Sequence, residues 1–169
     1  MKRVLLLSDT HDFLDDLILQ YATEADEIWH AGDIGTVQVI NTLQAIKPFR
    51  GVYGNIDGRE VRNVCPLDLR FECEGIDVLM THIGGYPGHY EPRIRNIIRS
   101  NPPTLFICGH SHILKVMRDQ TTGTLCMNPG ASGVHGFHKL RTMIRFQASN
   151  GQILQPEVIE LGPRGRITK

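Results

Sequence analysis

Five short apolar runs in this chain each end on aspartate, histidine or asparagine. Val4 to Leu7 runs into Ser8-Asp9-Thr10-His11, Glu27 to His30 into Ala31-Gly32-Asp33, and Arg50 to Tyr53 into Gly54-Asn55-Ile56-Asp57. The run after Gly75 ends in Thr81-His82, and the run after Thr104 ends in Gly109-His110-Ser111-His112. Short unbroken apolar runs are the signature of strands buried on both faces. Polar groups at the carboxyl ends of such strands share one sheet edge, which is where open α/β sheets bind ligands. A chain patterned in this way has to fold so that those ends converge.

Between the runs lie segments with helical spacing. Phe13 to Ala25 carries Leu14, Leu17, Ile18 and Tyr21, and Val37 to Ile46 carries Val39, Ile40 and Leu43 ahead of Pro48. The first third therefore alternates βαβαβ, which implies parallel strands with crossover helices. Leu67 to Glu74 and Ile76 to Met80 flank Gly75 as a hairpin, and Pro92 to Ser100 spaces Ile94, Ile97 and Ile98 as a third helix. After Leu105 to Cys108 only strands are predicted: Leu114 to Arg118, Thr124 to Met127, Thr142 to Phe146 and Leu154 to Ile159. Thr122-Gly123 and Asn150-Gly151 supply hairpin turns. A parallel part followed by an antiparallel part predicts an α/β fold. Its two mixed β-sheets pack face to face with helices outside, an αββα sandwich formed as a single domain over residues 1–169.

Composition excludes several alternatives. With 41% hydrophobic and 21% charged residues the chain is not of the disordered class. Lys+Arg and Asp+Glu number 18 each, which argues against a protein built to grip a long polyanion. Cys65, Cys73, Cys108 and Cys126 form no C-x-x-C pair, so they are expected as reduced, buried thiols rather than zinc or redox ligands. The apolar run Val4-Leu5-Leu6-Leu7 after Lys2-Arg3 is too short for a signal peptide, and no run reaches the about 20 apolar residues of a membrane helix. A cytoplasmic protein without membrane association is expected.

The polar set at the strand ends has a definite chemistry. Asp9-x-His11 places two ligands on one side of an extended segment. Taken singly, Gly32-Asp33 and Gly54-Asn55 read as turns, and His82 as a buried histidine satisfied by neighbours. Gly109-His110-Ser111-His112 is more specific, and together the pieces outweigh each separate reading. Two Asp, one Asn and four His make a nitrogen and oxygen donor set without thiolate, suited to Mn, Fe, Co, Ni or Zn rather than calcium. Seven side chains are too many for one tetrahedral ion and fit two ions bridged by a carboxylate. Two-metal sites clamp the attacking and leaving oxygens of an in-line displacement at phosphorus.

In this order, Asp9-x-His11, Gly32-Asp33, Gly54-Asn55, His82 and Gly109-His110-x-His112 resemble the calcineurin-like metallophosphoesterase superfamily. The likeness is greatest to its small, single-domain, YfcE-like phosphodiesterase branch. It runs from residue 1 to about 133 and includes Asn128-Pro129-Gly130. The resemblance implies an αββα fold and a dinuclear metal-dependent phosphoesterase, most closely a phosphodiesterase of a small substrate. It assigns Asp9, His11, Asp33 and His112 to one ion, and bridging Asp33 with Asn55, His82 and His110 to the other. Manganese is the first expectation, with Fe, Ni, Co or Zn as alternatives, and a metal-bridging hydroxide would attack phosphorus. His110 and Asn55 would offset charge in the transition state. Asp57 joins them in the expected catalytic set, orienting Asn55 or a water, and His30 is expected to support the ligands from behind.

Two departures from the family pattern stand out. Many relatives have a histidine after the Gly-Asn, as a proton donor to the leaving group, where this chain has Ile56. Loss of a general acid costs about 10²–10⁴-fold, most for poor leaving groups. Activity on activated phosphodiesters and weak activity on alkyl monoesters follow as expectations. The other departure is the segment Ile83-Gly84-Gly85-Tyr86-Pro87-Gly88-His89-Tyr90, where relatives often read His-Gly-His. This segment, Arg93, His135 and His138 are candidates to line the substrate cleft. Two other functions compete: a catalytically weak, metal-binding scaffold for a protein partner, as a eukaryotic retromer subunit of this fold is, and a nuclease. The full ligand set disfavours the scaffold, and zero net charge disfavours nucleic acid as a partner. The sequence leaves the oligomeric state open, with only base rates favouring a homo-oligomer.

Overall fold

The computed structural model describes residues 1–165. One five-stranded sheet has the order β10-β9-β1-β2-β3, built from β1 (Lys2–Leu7), β2 (Glu27–His30), β3 (Phe49–Gly51), β9 (Leu140–Ser149) and β10 (Gln152–Pro163). The other has the order β4-β5-β6-β8-β7, built from β4 (Asp68–Cys73), β5 (Ile76–Thr81), β6 (Leu105–Ile107), β7 (Leu114–Arg118) and β8 (Leu125–Pro129). Both sheets are mixed. β1 runs parallel to β2 and antiparallel to β9, while β6 runs parallel to both β5 and β8.

The alternation in β1 explains the layering. Val4 and Leu6 pack between the sheets with Trp29, Val78, Ile107 and Phe146. Leu5 and Leu7 point the other way, against Ile18 and Ala22 of α1 (Asp16–Glu24) and Ile40 and Leu43 of α2 (Val37–Ile46). On the opposite outer face, Ile94 and Ile98 of α4 (Pro92–Ser100) cover Leu79 and Phe106. The order helix, sheet, sheet, helix is the expected αββα sandwich, and each central strand is buried on both faces because it lies between two layers.

Three expectations are refined. The antiparallel strands do not form a sheet of their own: β9 and β10 return to β1, with Val4 opposite Phe146, and complete the N-terminal sheet. The helix α3 (Arg59–Val64) was not foreseen, because six residues with one buried side chain, Val61, show no readable period. The first helix starts at Asp16 rather than Phe13, since Asp15 caps it by accepting from the Ile18 amide at 3.0 Å. All four cysteines are buried and free, but only Cys73 and Cys126 lie in strands. Among the described residues no helix is long and apolar enough to cross a membrane.

Candidate metal centre

The parallel pairs β1–β2 and β5–β6 aim their carboxyl ends at one edge of the sandwich. Beyond β1 the chain supplies Asp9 and His11, beyond β2 Asp33, beyond β5 His82, and beyond β6 His110 and His112. Ligand atoms of Asp9, His11 and His112 lie within 4.8 Å of one another, as do those of Asp33, His82 and His110. Each trio mixes residues from both sheets.

The two carboxylates are divided in the same way. Asp9 Oδ2 accepts from Ser8 Oγ at 2.6 Å and from the His110 amide at 3.1 Å, while Oδ1 has no hydrogen-bond donor. Around that bare oxygen stand the Nε2 atoms of His112 at 3.1 Å and of His11 and His82, each at 3.8 Å. Asp33 Oδ1 accepts from the Ile56 amide at 3.1 Å, and its Oδ2 faces His82 Nε2 at 3.2 Å and His11 Nε2 at 3.5 Å. So each aspartate commits one oxygen to the backbone and turns the other to the imidazoles.

The histidines are oriented from behind. His82 Nδ1 donates to the Ala31 carbonyl at 2.7 Å, and His110 Nδ1 donates to Asn55 Oδ1 at 3.0 Å. His112 Nδ1 meets His138 Nδ1 at 3.2 Å, and His138 Nε2 meets the Gly133 carbonyl at 2.8 Å. A carbonyl only accepts, so His138 carries its proton on Nε2, and His112 Nδ1 is therefore the donor to His138. In each of the three histidines one ring nitrogen is occupied in this way, so the other is the one available to a metal when the imidazole is neutral. Burial, more than the nearby His112 and Arg164, pulls the His138 imidazole below the ordinary histidine range and keeps it neutral.

Three buried atoms have no hydrogen-bond partner within this cluster: Asp9 Oδ1, His11 Nε2 and His82 Nε2. Leaving such groups unpaired is costly, and both imidazole nitrogens lie 3.8 Å from Asp9 Oδ1. Burial opposes ionisation of Asp9, yet the neighbouring His11, His112 and His82 imidazoles and the Ser8 hydroxyl hold its carboxyl well below the usual range. His82 is pulled down by burial, but Asp33 and Asp9 outweigh that and raise it. Anionic oxygens beside bare imidazole nitrogens, without thiolate, fit divalent transition-metal ions. The residues present fit the group.

Asn55 is exposed and touches the site through His110. Asp57 is not brought to the ligand cluster. Its buried carboxylate accepts from the amides of Ile34 at 3.1 Å, Gly35 at 2.8 Å and Gly54 at 2.7 Å, so it ties the Asp33 and Asn55 loops together and is a positioning residue. Its hold on the Gly54 amide lies next to Asn55, the residue it is expected to orient. His30 is fully buried; it accepts from the Gly32 amide at 3.2 Å and meets Thr10 Oγ1 at 2.9 Å, directly behind Asp9 and Asp33. Arg93 is engaged by Asp68 and Glu91. His135 lies over His11, with ring centroids 4.8 Å apart. The direct contact of His138 with a ligand went unforeseen, since the two lie 26 residues apart and no local spacing links them.

The calcineurin-like phosphoesterase superfamily domain matches residues 1–151, and the chain belongs to that family. A probable metallophosphoesterase of Methanothermobacter thermautotrophicus is 24% identical over 164 residues, covering 93% of this chain and 91% of the relative. Among solved structures, a novel archaeal phosphodiesterase superposes with a TM-score of 0.70 at 18% identity, covering 94% of this chain and 99% of its own. Wild-type Vps29 of Entamoeba histolytica complexed with Zn²⁺ gives 0.70 at 14% identity, covering 94% and 98%. At these identities the two structures show a shared fold.

Proposed function

We propose that this member of the calcineurin-like phosphoesterase superfamily is a dinuclear, metal-dependent phosphodiesterase acting on a small phosphodiester. The observation that carries the reading is the paired carboxylates, each offering one uncommitted oxygen to imidazole nitrogens drawn from both sheets. Asp9, His11 and His112 would hold one ion and Asp33, His82 and His110 the other, with Asp33 Oδ2 near enough to His11 to serve both. Two such ions supply an activated water and neutralise charge at phosphorus during in-line displacement. Manganese is the first candidate.

The protein's own groups then have distinct tasks. His82, His110 and His112 would each offer the remaining ring nitrogen to an ion, because Ala31, Asn55 and His138 hold Nδ1. Asn55 and His110, exposed on the cleft, are placed to meet a phosphoryl oxygen and offset developing charge. Ile56 lines the same cleft and cannot deliver a proton, so substrates with good leaving groups are favoured.

The test is hydrolysis of bis(p-nitrophenyl) phosphate and p-nitrophenyl phosphate by metal-stripped protein, with and without manganese, beside His110→Ala. Manganese-dependent diester turnover abolished by the substitution is expected. Stoichiometric metal binding without turnover on any ester would overturn the reading and favour a scaffold.

A further inference from the structure

The floor of the metal cleft is polar, but its rim is not. The cleft has a volume of about 460 Å³, and Ile56, Ile113 and Phe137 stand around the ligands with 46%, 60% and 102% of their surfaces exposed. Phe137 packs on nothing, although its loop closes tightly on the site: its neighbour Gly136 lies so close to His112 that a Cβ there would sit 2.3 Å from Nδ1. Apolar side chains held open at the mouth of a charged cleft mark a binding surface.

Beside the cleft lies a slot of about 280 Å³, joined to it through His110, Ser111 and Ile113. Ile83 and Tyr86 form its far wall, over the buried Cys126 and Met127. The polar side chain at its base is already committed: Asn128 Nδ2 donates to the Gly109 carbonyl at 2.9 Å and to Ser111 Oγ at 3.1 Å, and its Oδ1 accepts from Gly130. Asn128 is therefore not free to meet a ligand. Lys115 lines it as well, its ammonium 3.6 Å from the centre of the Tyr86 ring and without a carboxylate partner among the described residues. An apolar slot with an uncompensated cation suits an anionic ligand that carries a flat, apolar-faced group.

We propose that rim and slot hold ring-bearing substituents of the ester, so that the substrate class is a small phosphodiester with planar rings of nucleobase size, such as a dinucleoside monophosphate. Diesters of small polar alcohols, such as glycerol, fall outside that class. The proposal rests on the phosphodiesterase reading above and deepens it. Covering one such side chain by a ring removes enough apolar surface to change affinity about tenfold or more.

The variants Phe137→Ser and Ile113→Ser alter exposed side chains and spare every metal ligand. Each is expected to raise KM about tenfold for a dinucleoside monophosphate and for bis(p-nitrophenyl) phosphate, with KM for glycerophosphocholine and manganese stoichiometry unchanged. A readout independent of turnover is saturation-transfer NMR of adenosine with the metal-stripped protein. Transfer from protein methyl groups to the base protons is expected, and Ile113→Ser should weaken it. Equal KM changes across all three esters, no change in any, or no transfer to adenosine would each overturn the proposal and leave the rim as a surface for a protein partner. Loss of manganese-dependent turnover in the unaltered protein, with transfer to adenosine retained, would instead count against the phosphodiesterase reading.

Discussion

At the scale of single residues, the site depends on groups that touch no ion. His138 carries a definite load: by accepting from His112 Nδ1 it fixes which nitrogen of His112 faces Asp9. Partners of this kind typically contribute 10–100-fold to metal affinity. His138→Leu is expected to weaken manganese binding by about that factor, read by titration against a chromophoric chelator. His138→Gln, whose amide can accept from His112 and donate to Gly133, should restore most of it. Equal losses in the two variants would reduce His138 to packing. His30 carries a different load. Complete burial holds its imidazole at about 4 from an ordinary 6.5, outweighing the nearby carboxylates of Asp57 and Asp9. The unfolded chain then takes up a proton between pH 6.5 and 4 that the folded protein refuses, so stability falls as pH drops through that window. The full effect is about 3 kcal/mol. In urea melts of metal-free protein at pH 7 and pH 4.5, His30→Gln should show a clearly smaller difference than the parent chain, and an unchanged difference would remove His30 as the cause.

At the scale of elements, the strand ends are strained. Asp9, His11, Asp33, His110 and His112 all have positive φ, between 44° and 70°, where non-glycine residues each cost about 1–2 kcal/mol. These residues follow β1, β2 and β6 within a few positions, where the chain turns sharply. Glycines make room for these turns. A Cβ on Gly54 would lie 2.0 Å from Asp33 Oδ1 and 2.3 Å from the Asp33 amide nitrogen. At the opposite end of the sandwich, Gly75 (φ 81°) abuts Gly151 where the β4–β5 and β9–β10 hairpin turns meet, and a Cβ there would be 3.0 Å from the Gly151 nitrogen. The two positions separate site from scaffold. Gly54→Ala is expected to displace Asp33 and lower manganese affinity at least tenfold. Gly75→Ala should cost about 1–2 kcal/mol in a denaturant melt and leave that affinity intact. Strand ends and ligand types were legible because a turn after an apolar run is a local signal. The return of β9 to β1, the contact of His138 with His112 and the inward turn of Asp57 were not, because each joins segments far apart in sequence through tertiary geometry.

At the scale of the whole molecule, the site is a joint between two sheets. The inter-sheet core of Val4, Leu6, Trp29, Val78, Ile107 and Phe146 holds the layers together without any ion. On top of it, Asp9, His11 and Asp33 come from one sheet and His82, His110 and His112 from the other, so ions bound there would add to the packing and to the cross-sheet hydrogen bonds of His82 with Ala31 and of the His110 amide with Asp9. Linkage fixes the size of the effect: an ion at about 100 times its dissociation constant stabilises the folded state by about 2.7 kcal/mol. For a chain of this length that is a rise of about 5–10 °C in Tm for one ion, and more if a second binds. The metal-stripped protein should therefore melt cooperatively as a folded domain, and manganese should raise Tm by at least this amount. In Asp33→Asn the shift should fall well below half, because Oδ2 lies beside both His82 and His11 and would serve both trios. Calorimetry of the two proteins with and without manganese decides the matter. A stripped protein that does not melt cooperatively would mean the ions are part of the core. A full shift in Asp33→Asn would mean that Asp33 holds neither ion, and would remove the bridging carboxylate from the proposed mechanism.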